Sequence, residues 1–475
     1  MKHFALSLLA ILFCFSGFAQ DEQEDMSEAI QLIEVWLEAQ KDYEKLPGLT
    51  AIAVHDQEVV WKGAFGTASR QHNMDASVDT RFSICSISKL FTSVAIMKLY
   101  DEGKLRLDDE LKDILPWFKD LAQKYEVSGP ITIRSLMTHS SGLPREAAYP
   151  YWTGPEFYFP TKEEIIDRLG EQETLYPAST YFQYSNLGLT LLGQVVEQIS
   201  GENYDSYVRK HILAPLEMKA TTTEIPKELL GKELADGYGA LNRDGERDHV
   251  PIFQANGISP AAGFASTVED LGKFASWQFE LLDTNETIIL KPSTLKFMQR
   301  VHWTDPDWNL SWGLGFSVRK SGSQTYVGHG GSCPGYRSTL TLNPSKKNAF
   351  AVMINAGATN PGKYASAIDQ IFGKYKGAKE AEEETDFSDF TGLYDGQPWG
   401  SEYYMGSWKG QLVGIPLPTD RPAQAMTFFK HMEGDVFRRV RDNGELGEEL
   451  VFVRDENGKV IKGGSHGNFR MKMGE

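Results

Sequence analysis

Between Ile87 and Met97 the chain places Leu90, Phe91, Val94, Ala95 and Ile96 on almost every side of a helix. A helix that is apolar all round belongs in a protein interior, so this segment predicts a buried central helix in a domain large enough to enclose it. Ser86-Ile87-Ser88-Lys89 stands at its head. A hydroxyl there is rigidly held near the positive end of the helix dipole, which favours developing negative charge. Lys89, three residues on, lies on the same helix face within hydrogen-bond reach. A serine hydroxyl is a poor nucleophile until a neighbouring base takes its proton, and the Ser86–Lys89 spacing supplies such a base.

The spacing alone is not selective, because S-x-x-K occurs three times, at Ser86, Ser293 and Ser317. Ser317 lies in an alternating run with Phe316, Val318 and Arg319, a strand pattern that sends its Ser and Lys to opposite faces. Ser293 follows Pro292 at the start of a short amphipathic segment and reads as a helix N-cap. Only Ser86 is followed, in order, by two further motifs, Tyr184-Ser185-Asn186 and His329-Gly330-Gly331. Tyr184 brings a phenol whose pKa a nearby ammonium would lower towards that of a working base. The Gly330-Gly331 pair lets a strand backbone approach a substrate closely. Taken singly, Ser86 reads as a cap, Tyr184 as a packed aromatic and Asn186 as another cap. Their order and spacing favour the catalytic reading.

The three motifs resemble those of the penicillin-recognising serine hydrolases: class C β-lactamases, D-Ala-D-Ala carboxypeptidases, D-aminopeptidases and related esterases. The resemblance runs over about residues 46–375 and extends beyond the motifs. Leu46-Pro47-Gly48-Leu49-Thr50 through Phe65-Gly66 is similar to the family's opening hairpin. Ile131-Thr132-Ile133-Arg134 to Thr138-His139-Ser140-Ser141-Gly142-Leu143-Pro144 is similar to its segment between the first and second motifs. Pro260 to Thr267 with Glu269-Asp270-Leu271, and Trp312-Gly313-Leu314-Gly315-Phe316, match later segments. The resemblance implies that Ser86 attacks a carbonyl, that Lys89 and Tyr184 share the proton traffic, and that Asn186 bonds the substrate amide or Lys89. It implies an oxyanion hole from the backbone N–H groups of Ser86 and Ser332, with Gly330 and Gly331 lining the substrate. Such donors are each worth roughly 3–4 kcal/mol.

At the third motif many β-lactamases carry Lys, a permanent cation for a substrate carboxylate. This chain carries His329, mostly neutral near pH 7, as the family's peptidases and esterases do. That tilts the expectation towards a peptide, D-amino-acid amide or ester. A true β-lactamase is the enzyme alternative, and a non-catalytic binding or sensor protein on the same fold is the other. No separate acidic residue stands out for deacylation, which leaves water activation to Tyr184. Cys85 precedes the nucleophile and Cys333 follows Ser332. The resemblance brings these neighbours together, and the class A carbapenemases, more distant relatives, carry a disulfide at the corresponding places. A Cys85–Cys333 bond is therefore expected, with two buried free thiols as the other reading.

Residues 1–20 read as a signal peptide: Lys2 and His3, an apolar run from Phe4 to Phe18, then Ala19-Gln20 before the acidic Asp21-Glu22-Gln23-Glu24-Asp25. Cys14 leaves with it, and the expected location is a bacterial periplasm, where disulfides form. The net charge of −17 argues against nucleic acid or an anionic membrane as partner. The ten histidines show no H-x-H or H-E-x-x-H pairing, so no metal is proposed. No cofactor is proposed either, because no phosphate-cradling glycine loop follows a strand. The expected partner is a small-molecule or peptide substrate; no segment after the leader has membrane-spanning length, and oligomeric state is left open.

The expected fold class is α+β: a β-lactamase/transpeptidase-like antiparallel sheet built from both chain ends, flanked by helices, with an inserted helical subdomain holding Tyr184. The domains are then 21–376, beginning with an amphipathic helix over 26–44, an acidic linker at 377–389, and a β-rich domain at 390–475. The last shows branched and aromatic runs divided by turns such as Asp442-Asn443-Gly444. Phe390-Thr391-Gly392-Leu393-Tyr394 resembles the start of the lipocalin-like appendage of some relatives. Tyr149, Tyr151, Trp152, Phe157, Tyr158 and Phe159 form an aromatic loop, read either as an apolar rim for substrate or as a cluster folded onto itself.

Overall fold

A computed structural model describes residues 25–121, 123–379 and 385–474. The signal-peptide reading, and residues 380–384 of the linker, lie outside the described residues. The larger part of the chain is built on a nine-stranded sheet in which the first and last long strands are neighbours. β1 (Gly48–His55) pairs antiparallel with β2 (Glu58–Ser69) on one side. On the other it pairs with the strand Asn348–Ile354, from Leu49↔Ile354 to His55↔Asn348. Outward from there the sheet continues through Tyr336–Asn343, Gln324–Cys333 and Ser317–Ser321. These four are β6, β5, β4 and β3 in descending chain order.

The pleat divides the core into two. Ile52 and Val54 of β1 face one hydrophobic cluster, and Leu49, Ala51 and Ala53 face the other, as the two-residue period of a strand buried on both faces requires. The first cluster holds α2 (Ser88–Asp101), where Leu90, Phe91, Val94, Ala95, Ile96 and Met97 are all fully buried. The all-round apolar run thus lies in the interior. α3 (Asn186–Ser200) and α4 (Val268–Asp283) pack in the same layer. α1 (Ser27–Tyr43) and α5 (Pro361–Gly377) cover the opposite face through Trp36, Tyr364 and Ile368.

Residues 392–471 form a separate eight-stranded antiparallel meander in sequence order. Its first and last strands meet through a Tyr394↔Lys472 bridge and a Met473 N–H to Leu393 carbonyl bond of 2.8 Å, which nearly closes a barrel. Phe387, Phe390, Phe437 and Phe452 fill its interior. Tyr404, Trp408, Val413 and Ile415 belong to the α1/α5 cluster. Trp36 Nε1 donates to the Thr419 carbonyl at 2.8 Å, and Lys363 bonds both Glu44 and Asp420. The barrel therefore docks on the helices across the sheet from α2. Among the described residues no helix is long and apolar enough to cross a membrane.

One local expectation needs correction, and one open choice is decided. Ser293 does not cap its helix: the cap position is Lys291, and Pro292 at the first helical position leaves Ser293 inside the first turn. Most of the aromatic loop folds inward. Tyr151 and Phe159 are buried, and Trp152, Phe157 and Phe159 gather around Phe253, leaving Tyr158 exposed. Aromatic area is stabilised by burial against other rings, and Phe253, far along the chain, supplies the missing partner. Ser317 lies in the strand its alternation predicts, and its hydroxyl donates to the Gly328 carbonyl at 2.9 Å.

Candidate active site

Ser86 lies in a single 3-10 turn, Cys85–Ile87, that leads into α2. Cys85 has φ +51°, a left-handed conformation that strains a residue with a side chain and persists only where the surroundings impose it. The Ile84 N–H donates to the Phe264 carbonyl at 2.9 Å, and the Ser88 hydroxyl donates to the Cys85 carbonyl. A disulfide joins Cys85 to Cys333 at the end of β4, with Cα atoms 5.7 Å apart. Pairing of β4 with β3 ends at Ser317↔Gly328, whereas its pairing with β5 runs on to Cys333↔Tyr336. The segment His329–Cys333 is thus an open edge beside the Ser86 turn, with Ser332 exposed on it.

The two glycines of the third motif serve different purposes. A Cβ on Gly331 would lie 2.2 Å from the Ile84 carbonyl oxygen and 2.1 Å from Ser338 Oγ. Gly331 is there so that the strand can touch the turn carrying Ser86. A Cβ on Gly330 would make only an ordinary contact, 3.7 Å from the Ser338 carbonyl oxygen, so a methyl fits there.

Lys89 is 1% exposed, and its Nζ lies 3.1 Å from Ser86 Oγ, 2.7 Å from Asn186 Oδ1 and 2.8 Å from the Ala261 carbonyl. Burial holds its pKa well below the ordinary lysine value; the Glu146 carboxylate opposes that shift and Arg145 adds to it. The Tyr184 ring lies 4.9 Å from Nζ, and its hydroxyl is hydrogen-bonded to Ser86. The expectation that an ammonium would lower the phenol is corrected. Burial pushes Tyr184 well above its usual value, and the hydrogen bond to Ser86 and the charge of Arg145 offset that only in part. A lysine whose own ammonium is disfavoured offers the phenol no charge.

His329, 6% exposed, has Nδ1 bonded to the Gly330 carbonyl and Nε2 without a partner. Burial, with Lys89 nearby, lowers its pKa to about 3, so its imidazole is neutral at working pH. His139 is likewise lowered by burial first and by Lys89 next, and its Nδ1 accepts from the Ser185 N–H at 3.1 Å. Between the ordinary histidine value and about pH 3 the unfolded chain binds a proton at His329 that the folded chain does not, so stability falls on acidification through that window, and His139 acts in the same direction. His329→Gln is expected to remove about 4–5 kcal/mol of that acid-side loss, read as a flatter dependence of the urea midpoint on pH.

Sequence reasoning missed four contributors. Trp312 stands edge-on to His329 at 5.5 Å and His139 stacks on Tyr184 at 4.3 Å, walling the site with rings. Arg145 lies 5.0 Å from the Tyr184 ring, and Glu146 accepts from Asn186 Nδ2 at 2.8 and 3.0 Å. His139 and Trp312 lay inside segments already singled out. The Arg145-Glu146 pair directly follows Pro144, and a charged pair beside a conspicuous loop was the one signal available.

With this geometry in view, comparison with known proteins is direct. The family model described as Beta-lactamase matches residues 34–370, well over half of the chain. Penicillin-binding protein 4 of Amycolatopsis lactamdurans is 24% identical over 71% of this chain and 88% of its own. The N-acetylmuramyl-L-alanine amidase of Bacillus subtilis is 25% identical over 69% of this chain and 85% of its own. Among solved structures, the octameric penicillin-binding protein homologue from Pyrococcus abyssi superposes with a TM-score of 0.64 at 24% identity. It covers 93% of this chain and 100% of its own, so the likeness of fold extends into the barrel. A family match of that span, on a sheet, helix layer and barrel laid out in this way, makes the chain a member of the beta-lactamase family, whose members are serine hydrolases.

Proposed function

We propose that the protein is an exported serine hydrolase that opens an amide or ester through an acyl-enzyme on Ser86, in the manner of a peptidase, D-amino-acid amidase or esterase. The observation that carries this reading is the buried Lys89 amine 3.1 Å from Ser86 Oγ. A neutral amine has two N–H groups and one lone pair. The Asn186 Oδ1 and Ala261 carbonyl oxygens accept hydrogen bonds but donate none, so they take both N–H groups. The lone pair is left for the Ser86 hydroxyl. Ser86 Oγ then attacks the carbonyl carbon as its proton passes to Nζ, and the backbone N–H groups of Ser86 and Ser332 hold the oxyanion. Tyr184, a neutral phenol, donates to the leaving group as the tetrahedral intermediate collapses. Water enters on the same path in reverse order to release the acid.

A neutral His329 offers a substrate carboxylate no permanent charge, which favours this reading over a true β-lactamase. The names of the two curated relatives, a penicillin-binding protein and an amidase, point the same way. The test is mass labelling with a fluorophosphonate and with benzylpenicillin, wild type beside Ser86→Ala. The expected result is a fluorophosphonate adduct that Ser86→Ala abolishes, and a penicillin adduct on the same serine that persists. Rapid repeated turnover of penicillin would instead make it a β-lactamase. Failure of both probes would leave the binding or sensor reading.

A further inference from the structure

We infer that Glu146 is a positioning residue for this reaction: its carboxylate sets which way the Asn186 amide faces, and through that amide it aims the lone pair of Lys89 at Ser86. This rests on the function proposed above. An ionised carboxylate only accepts hydrogen bonds. Glu146 meets the Asn186 amide with both oxygens, at 2.8 and 3.0 Å, so the NH₂ end must face it and Oδ1 must face Lys89. Were the amide reversed, its N–H would point at Nζ and compete for the lone pair that Ser86 needs.

The carboxylate is itself held from several sides. The Tyr151 hydroxyl donates to Oε2, and Arg145 Nε lies 3.0 Å from Oε1. Gln172 Nε2 donates to the Glu146 carbonyl at 2.9 Å. The loop bearing Glu146 is tied to the start of α3, because the Arg145 carbonyl accepts from the N–H groups of Asn186 and Leu187 and the Pro144 carbonyl accepts from the Ser185 hydroxyl. Carboxylate and amide are thus parts of one rigid junction. Glu146 also acts at a distance, since it is the anion that favours the charged form of Lys89 against burial. Arg145 on the same loop works in the opposite sense. Tyr184 before α3, His139 and His329 complete the titratable groups that face the amine, and burial disfavours the charged form of each.

The two roles predict effects that a merely structural residue would not produce. The probe is a fluorophosphonate, and the readout is its second-order rate of Ser86 labelling from mildly acid to alkaline pH. Glu146→Gln removes the anion and leaves the Asn186 amide free to face either way. The plateau rate is expected to fall about ten- to a hundredfold, while the acid limb moves to lower pH by about one unit, because Lys89 loses its proton more readily without the anion. Glu146→Asp keeps the charge on a shorter arm, so the limb is expected to stay while the plateau falls. A plateau and limb both matching wild type in Glu146→Gln would overturn the assignment. So would a rate lost in step with melting temperature while the limb stays fixed. If Glu146→Gln does not fold, the Glu146→Asp profile decides alone: an unchanged plateau would overturn the assignment. A wild type that does not label on Ser86 would remove the proposed function itself, whereas a wild type that labels normally beside an indistinguishable Glu146→Gln removes only the role of Glu146.

Discussion

Lys89→Met is expected to lower the rate of Ser86 labelling by about 10²–10⁴ while the protein still folds. The two consequences have separate origins. Activity goes because methionine has no amine lone pair to take the serine proton, and Tyr184, also bonded to Ser86, is a phenol that burial keeps un-ionised. Folding survives because two terms oppose each other. Met fills much the same volume and removes the cost of stripping water from an amine that is 1% exposed. Against that, the Asn186 Oδ1 and Ala261 carbonyl oxygens lose their donor, at about 1–3 kcal/mol for a buried acceptor left unmade.

The balance depends on pH. Below the depressed folded value of Lys89 both folded and unfolded chains carry its proton, and the full desolvation cost burdens the wild type. Between that value and the ordinary lysine value of about 10.4 the unfolded chain binds more protons than the folded one, so wild-type stability rises with pH. The Met variant lacks that slope. The difference in urea midpoint, wild type minus variant, should therefore increase from about pH 6 to pH 9. Near-wild-type labelling by Lys89→Met would show that Lys89 is not the base. A midpoint difference that stays flat with pH would show that its amine is not disfavoured in the charged form.

Gly331→Ala is expected to do the most structural damage for the smallest change, about 2–4 kcal/mol of stability, together with about a hundredfold in labelling rate. The added methyl would meet the Ile84 carbonyl oxygen, which is backbone and cannot rotate away. That same oxygen accepts from Ser338 Oγ at 2.9 Å and belongs to the residue two before Ser86. Relief of the clash must separate β4 from the Ser86 turn, and so move Ser332 away from Ser86. Gly330→Ala is the control. Its methyl fits without a clash, 3.7 Å from the Ser338 carbonyl oxygen, so unfolding should match wild type and any change should appear only with bulky substrates. Thermal unfolding and labelling of the pair check both statements; a Gly331→Ala protein as stable and reactive as wild type would refute the packing role.

Much of this was legible in the chain because the relevant signals are local. The run from Ile87 to Met97 demands burial from its composition alone, and a three-residue spacing on a helix brings Lys89 under Ser86 whatever surrounds it. Alternation marks Ser317 as strand, and the turn signals after residue 390 mark an all-β region. The sheet built from both chain ends and the helices on its faces came from the resemblance to a known family, because no local pattern shows that strands about three hundred residues apart pair. Ser293 failed as a cap for a local reason, because Pro292 shifts the helix start. The choice between the two readings of the aromatic loop was decided from afar, because Phe253 waits about a hundred residues downstream.

The sequence by itself determined which residues could form the buried helix, where Ser86, Lys89, Tyr184 and His329 stand along the chain, and that the third motif lacks a permanent cation. Only the tertiary structure decided their charge. Whether Lys89 is an amine, Tyr184 a phenol and His329 an uncharged imidazole depends on how completely water is excluded and on which charges remain near, and those neighbours come from segments far apart in the chain. The same holds for Glu146, which has no meaning for Lys89 until the loop after Pro144 is folded against the start of α3. It holds too for Gly330 and Gly331, which look alike in sequence and are told apart only by what each would touch. Periodicity and spacing are properties of a few consecutive residues. Desolvation and contact belong to the assembled interior.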